Sequence, residues 1–319
     1  MSKKKFAVGV DLGGTSIKIG LVDAKGKIVK KISVDNSVHE GPDAVIKLII
    51  HGINQVAKGK FDKILGIGIG APGAVKLKKG TVENPPNFPG WGKVHLGNIL
   101  KNEFKCDVYV ENDANAAAIG ELIYGTGKRY KNFVMITLGT GVGGGIIIDK
   151  KIFRGETGGA GELGHVTIDS SGSKCKCGSF GCIEAYLGNN YLIERVKTQL
   201  QGRNDSLLFR LTDGNLNFLT PKLIHTAAVE GDNFSRTVVI DCGTKLGYAL
   251  ASIVNVLDIA TIIIGGGVAG FGNLLFDAVE SSLKERVMKP FRERITVKPA
   301  KLKNNAGIKG ASALVFYKS

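Results

Sequence analysis

The sequence predicts an α/β protein made of two related halves, and three observations support this fold class. Short apolar runs of strand length alternate with longer helical segments along the chain. A pattern of strand, glycine-rich turn and strand occurs near the N-terminus and returns 126 positions later, which places Asp11 on Thr137 and Gly13 on Gly139. The chain has 319 residues, enough for two hydrophobic cores. We therefore expect two domains of one design.

The first half begins with three predicted strands, at residues 6–11, 17–22 and 27–34. Apolar residues dominate each run, and turns containing glycine separate them. A helix is predicted over 43–57, where apolar residues recur at helical spacing, and a fourth strand follows at 64–69.

The second half repeats this order. Strands are predicted at 133–138, 143–148 and 151–154, and a further apolar strand at 261–264. Three glycines follow that last strand, and we expect them to open a helix that runs to about residue 287.

The two related turns carry the chemistry of this design. They read AspLeuGlyGlyThrSer at 11–16 and ThrLeuGlyThrGlyValGlyGlyGly at 137–145. Glycine lets the backbone approach an anion closely, and successive N–H groups form a concave nest for phosphate oxygens. One such turn alone is often only a turn, but its recurrence favours phosphate binding. Neither turn is a P-loop or a dinucleotide-binding motif. The candidate residues are Gly13, Gly14, Thr15, Gly139, Thr140 and Gly141.

A third glycine cluster comprises Gly265, Gly266 and Gly267. A strand, three glycines and a helix form a place where a phosphate or a flat ligand can lie against the backbone. The alternative is that the glycines only allow a tight turn. Together with the two turns above, they predict contact with a nucleotide.

Three of the five cysteines, Cys175, Cys177 and Cys182, lie within eight positions and close to His165. Thiolates and imidazole are the ligands that Zn²⁺ prefers, and four such ligands form a closed, structural site. A chance cluster of thiols or a disulfide is the alternative, but Cys175 and Cys177 are too close in sequence to pair comfortably. The sequence therefore predicts structural zinc.

The net charge of +15 comes from lysines spread along the whole chain. Without a basic recognition helix or an aromatic stacking motif, this charge predicts a solvated surface and no nucleic-acid partner. No apolar run approaches the roughly 20 residues of a membrane span, and the N-terminus has no signal peptide. We expect no membrane partner and a cytoplasmic location, with Cys106 and Cys242 reduced in the core.

The chain resembles the ROK family of bacterial sugar kinases, within the actin-like and hexokinase-like ATPase superfamily, over essentially its whole length. The resemblance rests on 11–18, AsnProProAsn at 84–87 with Trp91, GluAsnAspAlaAsn at 111–115, 138–145, GluLeuGlyHis at 162–165, the cysteine run ending at Glu184, and IleGlyGlyGly at 264–267. It implies duplicated ribonuclease H-like βββαβα units in two domains that close on a catalytic cleft. The implied domains are 1–111, completed by a helix at 306–319, and 112–305, which contains the zinc segment 162–184.

The resemblance also implies the roles of individual residues. Asp113, between a strand at 108–110 and an alanine-rich helix, would be the general base that deprotonates a sugar primary hydroxyl during attack on ATP. Taken alone, an Asp at this position is more often a helix N-cap. Asp11 would act on the Mg²⁺ shell, and Lys18 would either reach a phosphate or remain a solvated strand lysine. The implied sugar contacts are Gly73, Asn87, Asn112, Asp113, Glu162, His165 and Glu184.

His165 has two ring nitrogens, so one is available to zinc and the other to a sugar hydroxyl. Loss of the metal is therefore expected to raise the sugar KM and to leave nucleotide affinity nearly unchanged.

The resemblance to the ROK family leaves several functions open. The leading one is an ATP-dependent glucokinase, and kinases for N-acetylmannosamine, N-acetylglucosamine, allose or fructose share most of these motifs. A sugar-responsive repressor would need a DNA-binding module before the first glycine turn, where only ten residues precede Asp11. Polyphosphate is an alternative donor, and a sensor without turnover would have lost the base. A homo-oligomer, a dimer or tetramer, is the common state in the family.

Overall fold

The computed structural model describes residues 5–203 and 205–317. The strands are β1 (Phe6–Leu12), β2 (Ser16–Asp23), β3 (Ile28–Asp35), β4 (Ile64–Ala71), β5 (Ala74–Lys76), β6 (Thr81–Glu83), β7 (Lys93–Val94), β8 (Asp107–Asn112), β9 (Phe133–Leu138), β10 (Val142–Ile148), β11 (Lys151–Ile152), β12 (Thr261–Gly266) and β13 (Thr296–Pro299). The α-helices are α1 (Pro42–Ala57), α2 (Leu96–Phe104), α3 (Asp113–Tyr124), α4 (Glu184–Leu187), α5 (Asn189–Leu200), α6 (Leu207–Leu211), α7 (Pro221–Val229), α8 (Asn233–Leu257), α9 (Asn273–Arg286) and α10 (Ala306–Phe316).

The first sheet has the strand order β3-β2-β1-β4-β8. Its first three strands are antiparallel neighbours, and β4 and β8 run parallel to β1. In this register Asp11 of β1 lies opposite Lys18 of β2. The parallel strands β1, β4 and β8 all end at one edge of the sheet, and the chemistry-bearing residues 11, 73 and 112–113 lie at or just after those ends.

The second sheet has the order β11-β10-β9-β12-β13, with β9, β12 and β13 parallel. This is the order of the first sheet, strand for strand. The duplication predicted from the offset of 126 positions is therefore present in the topology. A small antiparallel sheet, β5-β6-β7, lies between β4 and α2 in the sequence of the first half.

Contacts divide the chain into two compact units. The first contains the described residues of Met1–Lys131, Gly145–Gly161 and Ala300–Ser319, and the second contains Asn132–Gly144 and the described residues of Glu162–Pro299. Helix α3 groups with the first unit because it packs against α10. The predicted domain limits, 1–111 with 306–319 and 112–305, stay a prediction.

Helix α10 packs directly onto the central strands of the first sheet. A β-carbon at Gly9 of β1 would overlap the carbonyl oxygen of Ile308, and one at Gly68 of β4 would overlap that of Ala311. These two glycines let the helix backbone touch the sheet. The helix ends at Phe316, whereas the sequence predicted a helix to residue 319. Residues 318 and 319 lie outside the described part of the chain.

The core of the second unit is built around α8, which packs against α7 and α9. By length and composition α8 is apolar enough to cross a membrane, although no uninterrupted apolar run marks it in the sequence. Its apolar window is 61% buried within the fold. The core helix of a folded protein can meet the same length and composition criteria, and the burial of α8 matches that of a core helix.

One sequence prediction for this unit is wrong. The glycines at 265–267 do not open a long helix: β12 continues through Gly266, a short 3₁₀ turn follows at Val268–Phe271, and α9 begins only at Asn273. Gly272, with φ of 68°, turns the chain into α9.

Candidate functional site

The first glycine turn joins β1 to β2 and is held by hydrogen bonds. Gly13 N–H donates to the carbonyl of Ser16 (3.2 Å), which closes the hairpin. Asn36, directly after β3, supports the turn twice: Nδ2 donates to Gly13 O (2.7 Å), and the backbone N–H donates to Thr15 O (2.9 Å). These bonds fix the shape of the turn, with Thr15 exposed and Gly14 half-buried at its tip. The turn therefore offers a preformed place for an anion.

Asp11 lies near the end of β1, against the first turn of α10. A β-carbon at Gly307 would overlap the Asp11 carboxylate, so only glycine leaves room for it there. Burial raises the pKa of Asp11 above its ordinary value, and the charge of Lys18 on β2 partly opposes that effect. A cation beside this carboxylate would stabilise its charged form. Lys18 itself is exposed.

Asp113 is the first residue of α3, and it is exposed. The N-cap of this helix is Asn112, whose Oδ1 accepts from the N–H groups of Ala114 (3.0 Å) and Asn115 (3.2 Å). The alternative that Asp113 is the N-cap is therefore wrong, because its neighbour occupies that position. The positive end of the helix favours negative charge on Asp113.

The sugar contacts predicted in the first unit are neighbours of Asp113. Asn112 Nδ2 donates to the carbonyl of Gly73 (3.3 Å). The AsnProProAsn segment packs against the same turn, with a β-carbon at Gly73 reaching to 3.0 Å from Pro85 Cα. Asn87, exposed and left-handed with φ of 65°, approaches the first glycine turn at Gly14. The first unit therefore gathers Gly73, Asn112 and Asp113 around the ends of β4 and β8, and it places Asn87 beside the first glycine turn.

The second glycine turn and the third glycine cluster are adjacent in the second unit. Gly139 N–H donates to Gly141 O (2.9 Å) within the turn, and Asn189 N–H donates to Gly139 O (3.0 Å) from the start of α5. Gly266 pairs with Leu138, the residue before the turn, and a β-carbon at Gly266 would overlap the Leu138 carbonyl oxygen. Two of the three predicted phosphate-contacting segments thus lie side by side.

Glu184 begins α4 and contacts this second turn. Its Oε2 accepts from Val142 N–H (2.9 Å), and a β-carbon at Gly141 would overlap the same oxygen. Its Oε1 lies 3.9 Å from Cys175 Sγ. One carboxylate therefore touches both the glycine turn and the cysteine segment.

The four predicted zinc ligands converge in the second unit. One ligand atom from each of His165, Cys175, Cys177 and Cys182 lies within 4.8 Å of the others. The Sγ atoms of Cys177 and Cys182 are 3.6 Å apart, and Cys175 Sγ is 3.8 Å from His165 Nδ1. A tetrahedral zinc site has edges of about 3.8 Å between two sulfurs and about 3.6 Å between sulfur and nitrogen. The donor set and its spacing therefore fit zinc, and the three thiols are free cysteines.

The crowded thiols differ in their proton affinity. Burial raises the pKa of Cys182 to about 12 and raises that of Cys175, whereas a hydrogen bond from the Ser179 backbone lowers the pKa of the exposed Cys177. His165 directs Nδ1 toward the cluster, and its Nε2 lies 4.0 Å from Glu162 Oε2. His165 and Glu184 therefore contact the cysteine cluster, and Glu162 lies next to the other ring nitrogen of His165.

Two residues that support the site were not identified in the sequence. Asn36 holds the first glycine turn, and Arg154 bonds through Nε to Glu111 Oε2 (2.9 Å) next to Asn112. Each lies far along the chain from the group it supports, so no local spacing marks it. The glycine-rich run that follows Arg154 was the one available signal.

The sequence profile described as "ROK family" matches residues 7–318. The chain belongs to the ROK family. The predicted two-domain, hexokinase-like α/β fold is confirmed by this match and by solved ROK structures.

Three relatives of this ROK protein are informative. A glucokinase of Thermotoga maritima is 34% identical over 315 residues, which cover 99% of this chain and 98% of that enzyme. A ROK glucokinase from Streptomyces griseus, solved with glucose and AMPPNP, is 34% identical with a TM-score of 0.85, covering 97% of this chain and 98% of that one. A xylose repressor of Caldicellulosiruptor bescii is 32% identical, covering 97% of this chain and 77% of the repressor.

Proposed function

We propose that this ROK protein is an ATP-dependent hexokinase that phosphorylates the primary hydroxyl of a hexose, most readily glucose. The observation that carries the proposal is the exposed Asp113 at the start of α3, beside Asn112 and Gly73. The glucokinase relatives, aligned over nearly their whole length, support the same activity and the use of ATP.

In this proposal Asp113 accepts the proton of the sugar hydroxyl as its oxygen attacks the γ-phosphorus of ATP. The charge that develops on the phosphoryl oxygens is stabilised by the backbone N–H groups of the glycine turns and by Mg²⁺. Asp11 acts on the water shell of that ion. Burial disfavours the charged form of Asp11, and a nearby cation would offset that cost. The phosphate-contacting residues are Gly13, Gly14, Thr15, Lys18, Gly139, Thr140, Gly141, Gly265, Gly266 and Gly267.

The sugar hydroxyls each donate and accept hydrogen bonds, so amide and carboxylate side chains in fixed positions are the appropriate partners. We assign this role to the side chains of Asn87, Asn112, Asp113, Glu162, His165 and Glu184, and to the backbone of Gly73.

We further propose that His165, Cys175, Cys177 and Cys182 hold a structural zinc ion. A closed Cys₃His site supplies rigidity and no open coordination position. Its effect on function is to fix the segment that carries Glu162, His165 and Glu184. His165 binds through Nδ1, which leaves Nε2 for a sugar hydroxyl.

A coupled ADP assay tests the proposed reaction. Glucose, fructose, mannose, allose, N-acetylglucosamine and N-acetylmannosamine are each supplied with ATP and Mg²⁺, and ADP release must require both the sugar and the metal. We expect the highest kcat/KM with glucose and a higher initial rate with ATP than with polyphosphate. The absence of turnover with every sugar rejects the proposal.

The role of the base is tested by Asp113→Asn. We expect turnover to fall by about 10²- to 10⁴-fold, the usual contribution of a general base. Sugar Kd should stay within about tenfold, because the amide keeps the shape of the side chain. Asp107→Asn is the matched control, since Asp107 is an exposed carboxylate at the start of the preceding strand. Retained turnover in Asp113→Asn assigns the base elsewhere.

The xylose repressor relatives make a sugar-binding regulator the second candidate. It predicts sugar binding without turnover, and binding of operator DNA that weakens steeply with salt. The assay above separates the two candidates directly. The homo-oligomeric state, the absence of nucleic-acid and membrane partners, and the cytoplasmic location stay predictions.

A further inference from the structure

A partly buried ion pair involves Glu111, two residues before the proposed base. Arg154 Nε donates to Glu111 Oε2 at 2.9 Å, and the Glu111 side chain is only 5% exposed. Glu111 is the residue before Asn112, whereas Arg154 comes from the segment that follows β11. Nothing in the proposed reaction uses either residue.

The other carboxylate oxygen of Glu111 joins the pair to the start of α3. Glu111 Oε1 accepts from the backbone N–H of Asn112 (3.0 Å) and from Asn115 Nδ2 (3.3 Å). Asn112 caps the helix that begins with Asp113, and it bonds to the Gly73 carbonyl. A continuous set of hydrogen bonds therefore runs from Arg154 to the residues that flank the base.

The backbone around Arg154 is fixed from both sides. Phe153 N–H donates to Ile146 O (2.8 Å), and the Arg154 carbonyl accepts from Ala160 N–H (3.1 Å). The guanidinium is thus presented from an anchored segment. Burying a carboxylate without a cation beside it is costly, so Glu111 depends on Arg154 for charge pairing, in addition to its hydrogen bonds from Asn112 and Asn115.

We propose that Arg154 is a positioning residue that holds Asp113 in its reactive geometry through Glu111. The proposal rests on the proposed function in so far as Asp113 is the base. A displacement of a catalytic group by about 1 Å lowers the rate by about 100-fold. Arg154 can therefore affect kcat without contacting the substrate, because it fixes the residues that flank Asp113.

The test compares Arg154→Ala, Arg154→Lys and Glu111→Gln with the wild type. We expect kcat to fall by about 10- to 100-fold in Arg154→Ala and less in Arg154→Lys, with the ATP KM within about twofold. Guanidinium ion at non-denaturing concentration should restore part of the lost kcat in Arg154→Ala. Arg129→Ala, an exposed arginine of the same unit, is the matched control and should resemble the wild type.

A double variant and an exchange measurement complete the test. Arg154→Ala with Glu111→Gln should lose no more kcat than Arg154→Ala alone, because the neutral amide removes the unpaired charge. Amide hydrogen exchange of peptides covering 111–116 should be faster in Arg154→Ala than in Arg129→Ala. Glu111→Gln and Arg154→Lys keep the test decisive if Arg154→Ala does not fold.

The outcomes separate this inference from the proposed function. Unchanged exchange at 111–116, or equal loss in kcat and in affinity for both substrates without rescue by guanidinium, overturns the positioning role. Absence of turnover in the wild type rejects the proposed function only, since the exchange measurement still decides whether Arg154 orders the start of α3.

Discussion

Gly141 and Gly139 belong to the same turn but differ in the space beside them, and this difference predicts opposite results for two alanine substitutions. A β-carbon at Gly141 would overlap Glu184 Oε2 and lie 3.2 Å from its Cδ, whereas one at Gly139 meets no atom within 4 Å. Neither glycine has a positive φ. The backbone therefore accepts alanine at both positions, and only the contact with Glu184 distinguishes them.

The loss of stability in Gly141→Ala follows from the hydrogen bond that Glu184 loses. To reach an ordinary contact distance the carboxylate must move by about 1 Å, which breaks its hydrogen bond from Val142 N–H. A hydrogen bond to a charged group contributes about 1.5–3 kcal/mol to stability. A loss of about 2 kcal/mol lowers the melting temperature of a unit of this size by about 4–8 °C. Gly139→Ala should leave the melting temperature unchanged or slightly higher.

Steady-state kinetics then separate the two substrates. Gly141→Ala displaces a proposed sugar contact, so the sugar KM should rise by about tenfold, equivalent to about 1.4 kcal/mol. Gly139→Ala should leave the sugar KM unchanged and raise the ATP KM, because its methyl group occupies the space intended for a phosphate. Equal melting temperatures for the two variants refute the packing argument. A destabilised Gly141→Ala with an unchanged sugar KM removes Glu184 from the sugar contacts.

Two further perturbations test the remaining parts of the site. Because burial raises the pKa of Asp11, the folded state binds its proton more tightly than the unfolded state does, and this contribution to stability is lost as pH rises through the folded pKa. Asp11→Asn should therefore raise the free energy of unfolding at pH 7, because the neutral amide avoids the cost of burying a charge, and should abolish Mg²⁺-dependent turnover. Urea unfolding at pH 7 and near pH 4 checks this. The stability difference between Asp11→Asn and the wild type should become smaller as the pH falls toward 3.8, the ordinary pKa of Asp, because the wild-type carboxyl is then protonated in the folded state. Cys177→Ser should lower the bound zinc measured by mass spectrometry and raise the sugar KM, and a full metal content in that variant contradicts the ligand assignment.

The sheets could be predicted from the sequence because their signals are local. The strand at 133–138 was located to the residue, the strands at 6–11 and 64–69 were short by one or two residues at the C-terminal end, and the strand at 17–22 was short by one residue at each end. The duplication was visible because glycine turns and flanking apolar runs recur at one offset. Cysteine spacing likewise identified a cluster whose ligand atoms meet within 4.8 Å.

The errors and omissions have a tertiary cause. At Gly266 the chain stays in the sheet because β9 pairs with it, and this pairing outweighs the local tendency of a glycine run to begin a helix. The sequence also left open that Asp113 caps α3; Asn112 takes that position, and only the backbone geometry distinguishes two residues with equally suitable side chains. Arg154 and Asn36 act on groups that the fold, and not the sequence, brings near.

Glu184 connects two features that the sequence presents as separate. It follows Cys182 by two residues and contacts Cys175 at 3.9 Å, yet its other oxygen holds Val142 of the second glycine turn. The helix that Glu184 begins also leads directly into Asn189, which bonds to Gly139. Loss of the metal would free the cysteine segment and with it the carboxylate. The sequence led us to expect nucleotide affinity nearly unchanged in metal-free protein; with this connection we now expect it to fall together with sugar affinity. Calorimetric binding of AMPPNP to metal-free and zinc-loaded protein, without sugar, decides between the two expectations, because only the connection through Glu184 predicts a difference.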